Sequence, residues 1–252
     1  MSRLIFILGE SGTGKSSSIA PPENASWSLY EKAEDESPHQ ALDYNSTFVI
    51  NIQSAKDLPF RGSRKMYNKE NRNYAETSDT DTILTILDKI DKDPNARIKT
   101  VIIDDFQYQM SFQMYEDLGN KSLNWDRYKE YSLNWFKIFD KAKNMRADVN
   151  VYILSHSENK KAPGGEVERG MKTIGSMTDT ILVPEGLATV LLYSHVAAPS
   201  KVTKEKLIPA SEYYFVTNRW NTYPAKSPAG MFSSILIPNS IFFVNQAIEK
   251  YF

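Results

Sequence analysis

Four short apolar runs punctuate the first two thirds of the chain, and each stops at glycine or a polar side chain. Leu4-Ile5-Phe6-Ile7-Leu8, preceded by Arg3, closes on Gly9; Thr47–Ile52 closes on Gln53. Thr100-Val101-Ile102-Ile103 closes on Asp104-Asp105, and Val149–Leu154 closes on Ser155-His156. Continuous apolar runs of this length predict strands covered on both faces, whereas alternation would predict strands with one wet face. Between them the period changes. Ile83, Leu84, Ile86, Leu87 and Ile90 follow the cap candidates Ser78 and Asp79, which predicts an amphipathic helix. The longest helix is predicted over 124–145, where Tyr128, Tyr131, Trp135, Phe139 and Ala142 recur at three- and four-residue spacing. That stripe reads as core, not as a platform for stacking bases.

The rest is less regular. A short helix is expected from Gly14, ended by Pro21-Pro22, and the polar stretch 23–46 is expected to be irregular or to hold one short element. Segments 188–196 and 212–217 read as two further strands paired as a hairpin, and 213–252 as strand-like and punctuated by proline. Strands separated by helices imply right-handed crossovers and a mostly parallel sheet. The expected fold is α/β, a single domain over 1–252 with helices flanking the sheet and a C-terminal antiparallel hairpin. Ligands of such sheets lie at the carboxyl ends of the strands, here Gly9, Gln53, Asp104 and His156.

Composition narrows the classes. With 41% hydrophobic and 12% aromatic residues, the chain can bury a sizeable core. It contains no cysteine, which removes disulfides and thiolate metal sites, and its three histidines, His39, His156 and His195, are too scattered for a zinc site. No run approaches the roughly 20 apolar residues that span a bilayer, so no membrane partner is expected. Thirty basic against thirty-one acidic residues argue mildly against nucleic-acid binding unless basic groups cluster locally.

The strongest chemical signal is Gly9-Glu10-Ser11-Gly12-Thr13-Gly14-Lys15-Ser16, followed by Ser17. Glycines at this spacing let backbone N–H groups turn inward around phosphate oxygens. Lys15 then reaches the β- and γ-phosphates, the Ser16 hydroxyl ligates Mg²⁺, and a helix N-terminus adds partial positive charge. The placement between an apolar strand and a helix is the context this motif requires. Asp104, first after its apolar run, is the better second holder of Mg²⁺, through a water. Adjacent acids of an extended chain face opposite sides, so Asp105 either orients the attacking water or solvates the strand end. His156 either touches the γ-phosphate or is satisfied by neighbouring backbone. Two basic segments, Arg61 to Arg72 among Phe60, Tyr67 and Tyr74, and Lys160 to Lys172, fit a single-stranded nucleic acid or a solvated face equally.

These motifs, with Asp57-Leu58-Pro59-Phe60-Arg61-Gly62, Lys172-Thr173-Ile174-Gly175, Glu185-Gly186-Leu187 and Lys226-Ser227-Pro228-Ala229-Gly230-Met231-Phe232, make nearly the whole chain resemble the small RecA-like P-loop ATPases of tailed bacteriophages. Related members of that group act in single-strand annealing and recombination. The resemblance implies ATP and Mg²⁺ as cofactors, ATP bound between subunits of a ring or filament, and a cytoplasmic location, the host's if the chain is phage-encoded. It implies a DNA-binding loop carrying Lys160, Lys161, Arg169 and Lys172. It also implies a cation offered in trans, Arg219 or failing that Lys226. Such enzymes usually end the second strand with a water-activating glutamate; here Gln53 stands there, which orients a water but cannot take its proton. The expected catalytic set is therefore Lys15, Asp105, Gln53, His156 and Arg219. The expected function is a DNA-stimulated ATPase. A AAA+-type loader, or an ATP-binding assembly switch with little hydrolysis, are the alternatives. A nucleotide or small-molecule kinase would need an arginine-rich lid, and the arginines here do not cluster after the fourth strand.

Overall fold

The computed structural model describes residues 1–20, 42–53, 56–119, 125–161, 165, 167–175, 177–197 and 212–252. Most of the polar stretch 23–46 and the expected stop at Pro21-Pro22 fall outside them. Strand β1 (Arg3–Gly9) buries all but its first residue. Its apolar side chains divide between two cores because successive residues of a strand point to opposite faces. Leu4, Phe6 and Leu8 enter one core, Ile5 and Ile7 the other.

β1 lies inside the sheet, between β5 and β7, as its apolar run from Leu4 to Leu8 requires. On one side it pairs in parallel with β5 (Asn150–Lys161), from Arg3↔Asn150 to Gly9↔His156. On the other side it pairs in parallel with β7 (Val190–Ala197). Beyond β5 come β4 (Thr100–Asp104), β2 (Thr47–Asn51) and β3 (Tyr74–Glu76), all parallel. Beyond β7 the direction reverses: β8 (Glu212–Val216) and β9 (Leu236–Pro238) pair antiparallel. The molecule is thus an α/β fold with a mostly parallel central sheet, flanking helices and a C-terminal antiparallel hairpin. Among the described residues no helix is long and apolar enough to cross a membrane.

One face is covered by α2 (Thr80–Asp91) and α4 (Trp125–Lys143). The α2 N-terminus is capped as expected: the Asp79 carboxylate accepts from Thr82 N at 2.8 Å. The aromatic stripe of α4 is core. Tyr131, Trp135 and Phe139 are buried, with Trp135 at 4.7 Å from Phe106 and Phe139 at 5.2 Å from Phe6 between ring centroids.

Three features depart from the sequence pattern. First, β5 does not stop at Leu154. It continues to Lys161 and folds back through β6 (Val167–Met171) as an antiparallel hairpin, where a Gly- and Lys-rich loop was expected. Second, 213–252 is not all strand. After Pro238 it becomes helix α6 (Ile241–Tyr251), which buries Ile241, Val244 and Ile248 beside Ile5 and Ile7 and so closes the second face. The Asn245 carboxamide binds α6 to the sheet, accepting from Tyr152 Oη at 2.7 Å and donating to Thr100 Oγ1 at 3.0 Å. Third, α3 (Gln107–Gly119), α1 (Ser63–Met66) and α5 (Pro184–Leu187) have no clear period, and the first of these follows directly on the acids of β4.

Trp135→Ala should lower the unfolding free energy by about 3–5 kcal/mol, the range for truncating a fully buried large aromatic. Urea titration followed by circular dichroism measures this. A loss below about 1 kcal/mol would place Trp135 outside the core.

Candidate functional site

The loop after β1 is tightly built. A Cβ at Gly9 would lie 1.9 Å from Ser194 Oγ on β7 and 2.6 Å from Thr13 Oγ1, so any larger residue would displace both hydroxyls from the closing turn. Gly14 has φ +87°, and a Cβ there would also meet Tyr213 Cδ1 at 2.8 Å. Thr13 Oγ1 donates to Glu10 O at 2.8 Å and lies 2.6 Å from Ser194 Oγ, and Asn239 Nδ2 reaches Thr13 O at 3.4 Å. Neighbours on β7, β8 and the α6 entry therefore fix the curvature of Glu10 to Gly14. The element that follows is shorter than the expected helix: a single 3₁₀ turn, Ser16–Ile19. A macrodipole from one turn is small, so this turn adds little positive charge to the loop.

Ser11, Gly12, Gly14, Lys15, Ser16 and Ser17 line a cleft of about 210 Å³ together with Lys56, Pro59, Asp105, His156 and Tyr213. The parallel strands create it. Register pairs Gly9 with His156 on β1 and β5, and Asn51 with Asp104 on β2 and β4, so polar tips meet along one edge.

Lys15 is buried, and its ammonium donates to Gly9 O at 2.9 Å and Glu10 O at 2.8 Å. Burial lowers its pKa to about 8, against the pull of Asp105 and Asp104. Ser16 Oγ donates to Asp104 Oδ1 at 2.8 Å. Burial, aided by the neighbouring Asp105, raises the Asp104 carboxyl to about 6, with the Ser16 hydrogen bond opposing. A hydroxyl and a carboxylate in contact form a hard-oxygen pair that suits Mg²⁺, and a divalent cation would offset the cost of the buried charge. Among the described residues no cluster of three or more His, Asp or Glu could hold a metal ion.

Asp105 does not face away from Asp104. Its φ of +57° takes it out of extended geometry directly after β4, so strand alternation no longer separates the two acids. Asp104 meets the loop while Asp105, 2% exposed, lines the same cleft. Lys56 forms a short ion pair with Asp105, and His156 Nε2 lies 3.8 Å from it. The Asp105 contacts outweigh desolvation and raise the Lys56 pKa. Burial, then Lys15, lowers the His156 pKa to about 4, so its ring is neutral at pH 7. Sequence reasoning missed Lys56, Tyr213 and Gln107. The buried Gln107 side chain accepts from His156 N at 3.0 Å and Ser155 Oγ at 3.3 Å, and its Nε2 is 3.5 Å from Asp105 Oδ1. It ties the tip of β5 to that of β4. Its one signal was its place, two residues past the second acid.

The other expected residues fall elsewhere. Gln53 lies in a bend two residues beyond β2 and is not in the cleft wall; its N–H donates to Asn51 Oδ1 at 3.2 Å. The strand end itself is Asn51, whose Nδ2 donates to Lys56 O at 2.7 Å and so positions that loop. Arg219 is exposed and pairs within the chain with Glu168 at 2.6 Å, and Lys226 Nζ approaches Gly186 O at 3.4 Å. Of the expected DNA contacts, Lys160 pairs with Asp179 at 2.6 Å and Arg169 with Glu10 at 2.5 Å. Lys172 is exposed beside the cleft, its N–H donating to His156 O at 2.8 Å, and Lys161 ends β5.

Because the folded-state pKa of Asp104 lies above its unfolded value, the native protein binds more protons between about pH 4 and 6. Stability contributed by this group therefore falls as pH rises through that window and stays low above it. Asp104→Asn keeps the acceptor for Ser16 but cannot ionise. It should raise the melting midpoint by a few °C at pH 7.5, since each pKa unit is about 1.4 kcal/mol, and the gain should shrink below pH 4. Calorimetry of both proteins across that range measures it; an equal or lower midpoint at pH 7.5 would contradict the buried-charge assignment. In comparison with known proteins, the chain matches no protein-family model and no curated protein.

Proposed function

We propose that this chain is a RecA-like P-loop ATPase that binds Mg²⁺-ATP in the cleft above β1, β4 and β5 and hydrolyses it while acting on single-stranded DNA. The observation that carries the reading is the junction of the Gly9–Ser16 loop with β4: Ser16 and Asp104 in contact, with the Lys15 ammonium beside them. A glycine-rich loop whose N–H groups could turn toward phosphate oxygens, a lysine and a hard-oxygen pair together meet the needs of a polyphosphate and its metal.

In this reading Lys15 gives up the carbonyls of Gly9 and Glu10 for the β- and γ-phosphate oxygens, a stronger charge-assisted partner. Bound Mg²⁺ would supply positive charge to the phosphates. Asp105 orients the attacking water along the axis of the breaking bond, with Lys56 fixing its carboxylate. A neutral His156, held by Gln107, offers a hydrogen bond near the terminal phosphate and follows its departure. Since β5 leads from His156 straight into the β5–β6 hairpin, that change has a direct covalent route to Lys160, Lys161 and Lys172. The hairpin thereby becomes the element that meets DNA. Subunits arranged in a ring or filament would place exposed Arg219 against a neighbour's cleft, where fixed positive charge offsets charge on the γ-phosphate.

Two observations favour the assembly-switch alternative with little hydrolysis. No carboxylate ends β2, and Asp105 is engaged by Lys56. Helix α6 packs onto the sheet beside Ile5 and Ile7 instead of forming a separate lid, which weighs against the AAA+-type loader.

Lys15→Ala should weaken ATP binding at least about a hundredfold, because it removes the buried ammonium facing the phosphates; unchanged affinity by calorimetry would refute the site. ATP turnover should rise when single-stranded DNA is added, and particle size should grow with ATP. A Lys160→Glu/Lys161→Glu variant should lose the stimulation and show a flatter salt dependence of DNA binding. A flat response in the unmodified protein would favour the switch, and an unaffected variant would leave the two lysines with no part in DNA binding.

A further inference from the structure

Glu10 joins two cations at its two ends. Its carbonyl accepts from Lys15 Nζ at 2.8 Å, and its carboxylate takes Arg169 Nη1 at 2.5 Å. Arg169 belongs to β6, so the hairpin that leaves the cleft at His156 returns a guanidinium to the rim of the same loop. This is not a solvated surface lysine or arginine. Its side chain is 22% exposed, against 56% for Glu10. The guanidinium lies over Tyr223, 4.8 Å from the ring centroid. That ring is itself fixed, stacked on Trp220 at 6.1 Å and with its hydroxyl 3.0 Å from His195 Nδ1. The backbone is held as well: Arg169 N donates to Thr222 O at 2.9 Å, and Tyr193 Oη on β7 donates to Arg169 O at 2.9 Å. Arg169 Nε is buried and has no hydrogen-bond partner among the described residues. A planar donor fork is thus held firmly at its root, while its outer end rests on an exposed carboxylate.

A carboxylate is a poorer partner for such a fork than a phosphate, which offers more charge and suits bidentate contact. Resting on the nucleotide-binding reading above, we propose that Arg169 recognises the terminal phosphate within the same chain, exchanging Glu10 for γ-phosphate oxygens of bound ATP. It is then a specificity residue for triphosphate over diphosphate. Glu10 is the competing anion that holds it at the loop rim. The exchange also moves the hairpin's anchor from the Glu10 carboxylate to the nucleotide when the third phosphate is there. The assignment takes Arg169 from the set of DNA contacts and supplies in cis a cation that Arg219, paired with Glu168, was expected to offer in trans.

The test is the ratio of fluorescently labelled ATP to ADP affinities, with Mg²⁺, for the unmodified protein, Arg169→Ala, Arg169→Lys and Glu10→Gln. Arg169→Ala should weaken ATP by about tenfold or more and leave ADP unchanged, as expected for one lost charge-assisted contact. Arg169→Lys should recover part of the preference, and Glu10→Gln should strengthen ATP over ADP severalfold by removing the competitor. Equal effects of Arg169→Ala on both nucleotides would overturn the proposal, as would weakened single-stranded DNA binding with an unchanged ratio. If Arg169→Ala fails to fold, Glu10→Gln decides: an unaltered ratio sinks the idea. Failure of the parent reading looks different, since the unmodified protein would then bind neither nucleotide.

Discussion

The molecule depends on keeping charge out of water at the tips of its central strands. Lys15, Asp104 and Asp105 are each more than nine-tenths buried, and Lys56 and His156 crowd beside them. Such groups are costly unless each finds an opposite charge or a hydrogen bond. Here the cost is met by geometry. Ser16 donates to Asp104, Lys56 pairs with Asp105, and Lys15 uses two backbone carbonyls. The compensation is incomplete, which is why burial pushes the Lys15 pKa down and that of Asp104 up. An anion and a divalent cation entering together would complete it.

That arrangement needs a scaffold buried on both faces. Parallel strands buried on both faces bring four chain segments, distant in sequence, to one edge with fixed register. Two separate cores hold the sheet: α2 and α4 on one face, α6 on the other. The polar tether of Asn245 to Tyr152 and Thr100 locks α6 against β4 and β5 behind the cleft. The strain that remains is local. Asp105, with φ +57°, is a non-glycine residue in left-handed geometry at the centre of the charge cluster, and strained backbone of this kind tends to gather at functional sites.

The β5–β6 hairpin links this site to the rest of the surface. It begins at His156, turns outside the sheet and returns to the loop rim at Arg169. Its charges are largely committed within the chain: Lys160 to Asp179, Glu168 to Arg219, Arg169 to Glu10. A nucleic acid meeting this hairpin would have to compete with those acids, so its affinity would be set by which pairs open. In the proposed mechanism the nucleotide decides that for one of them.

Much of this was legible in the residues alone. The apolar runs of β1, β2, β4 and β5 are visible because a strand covered on both faces must be apolar throughout. The Gly9–Ser16 spacing is visible because the loop's φ angles and close contacts admit little else. Asp79 as a cap and Tyr131, Trp135 and Phe139 as core follow from local rules of the same kind. Tertiary structure decided the rest, since it depends on which distant segments meet. Asp105 joins the cleft because a left-handed residue breaks strand alternation, which no pattern of neighbours announces. Lys56, Gln107 and Tyr213 acquire their roles from a parallel register that sets them around the loop. Arg169 looks in sequence like one more cation of a basic loop; only the fold of the hairpin over β1 brings it to Glu10. Periodicity reports what each residue is buried against in its own element, whereas a site is made of long-range pairings whose charges carry no period.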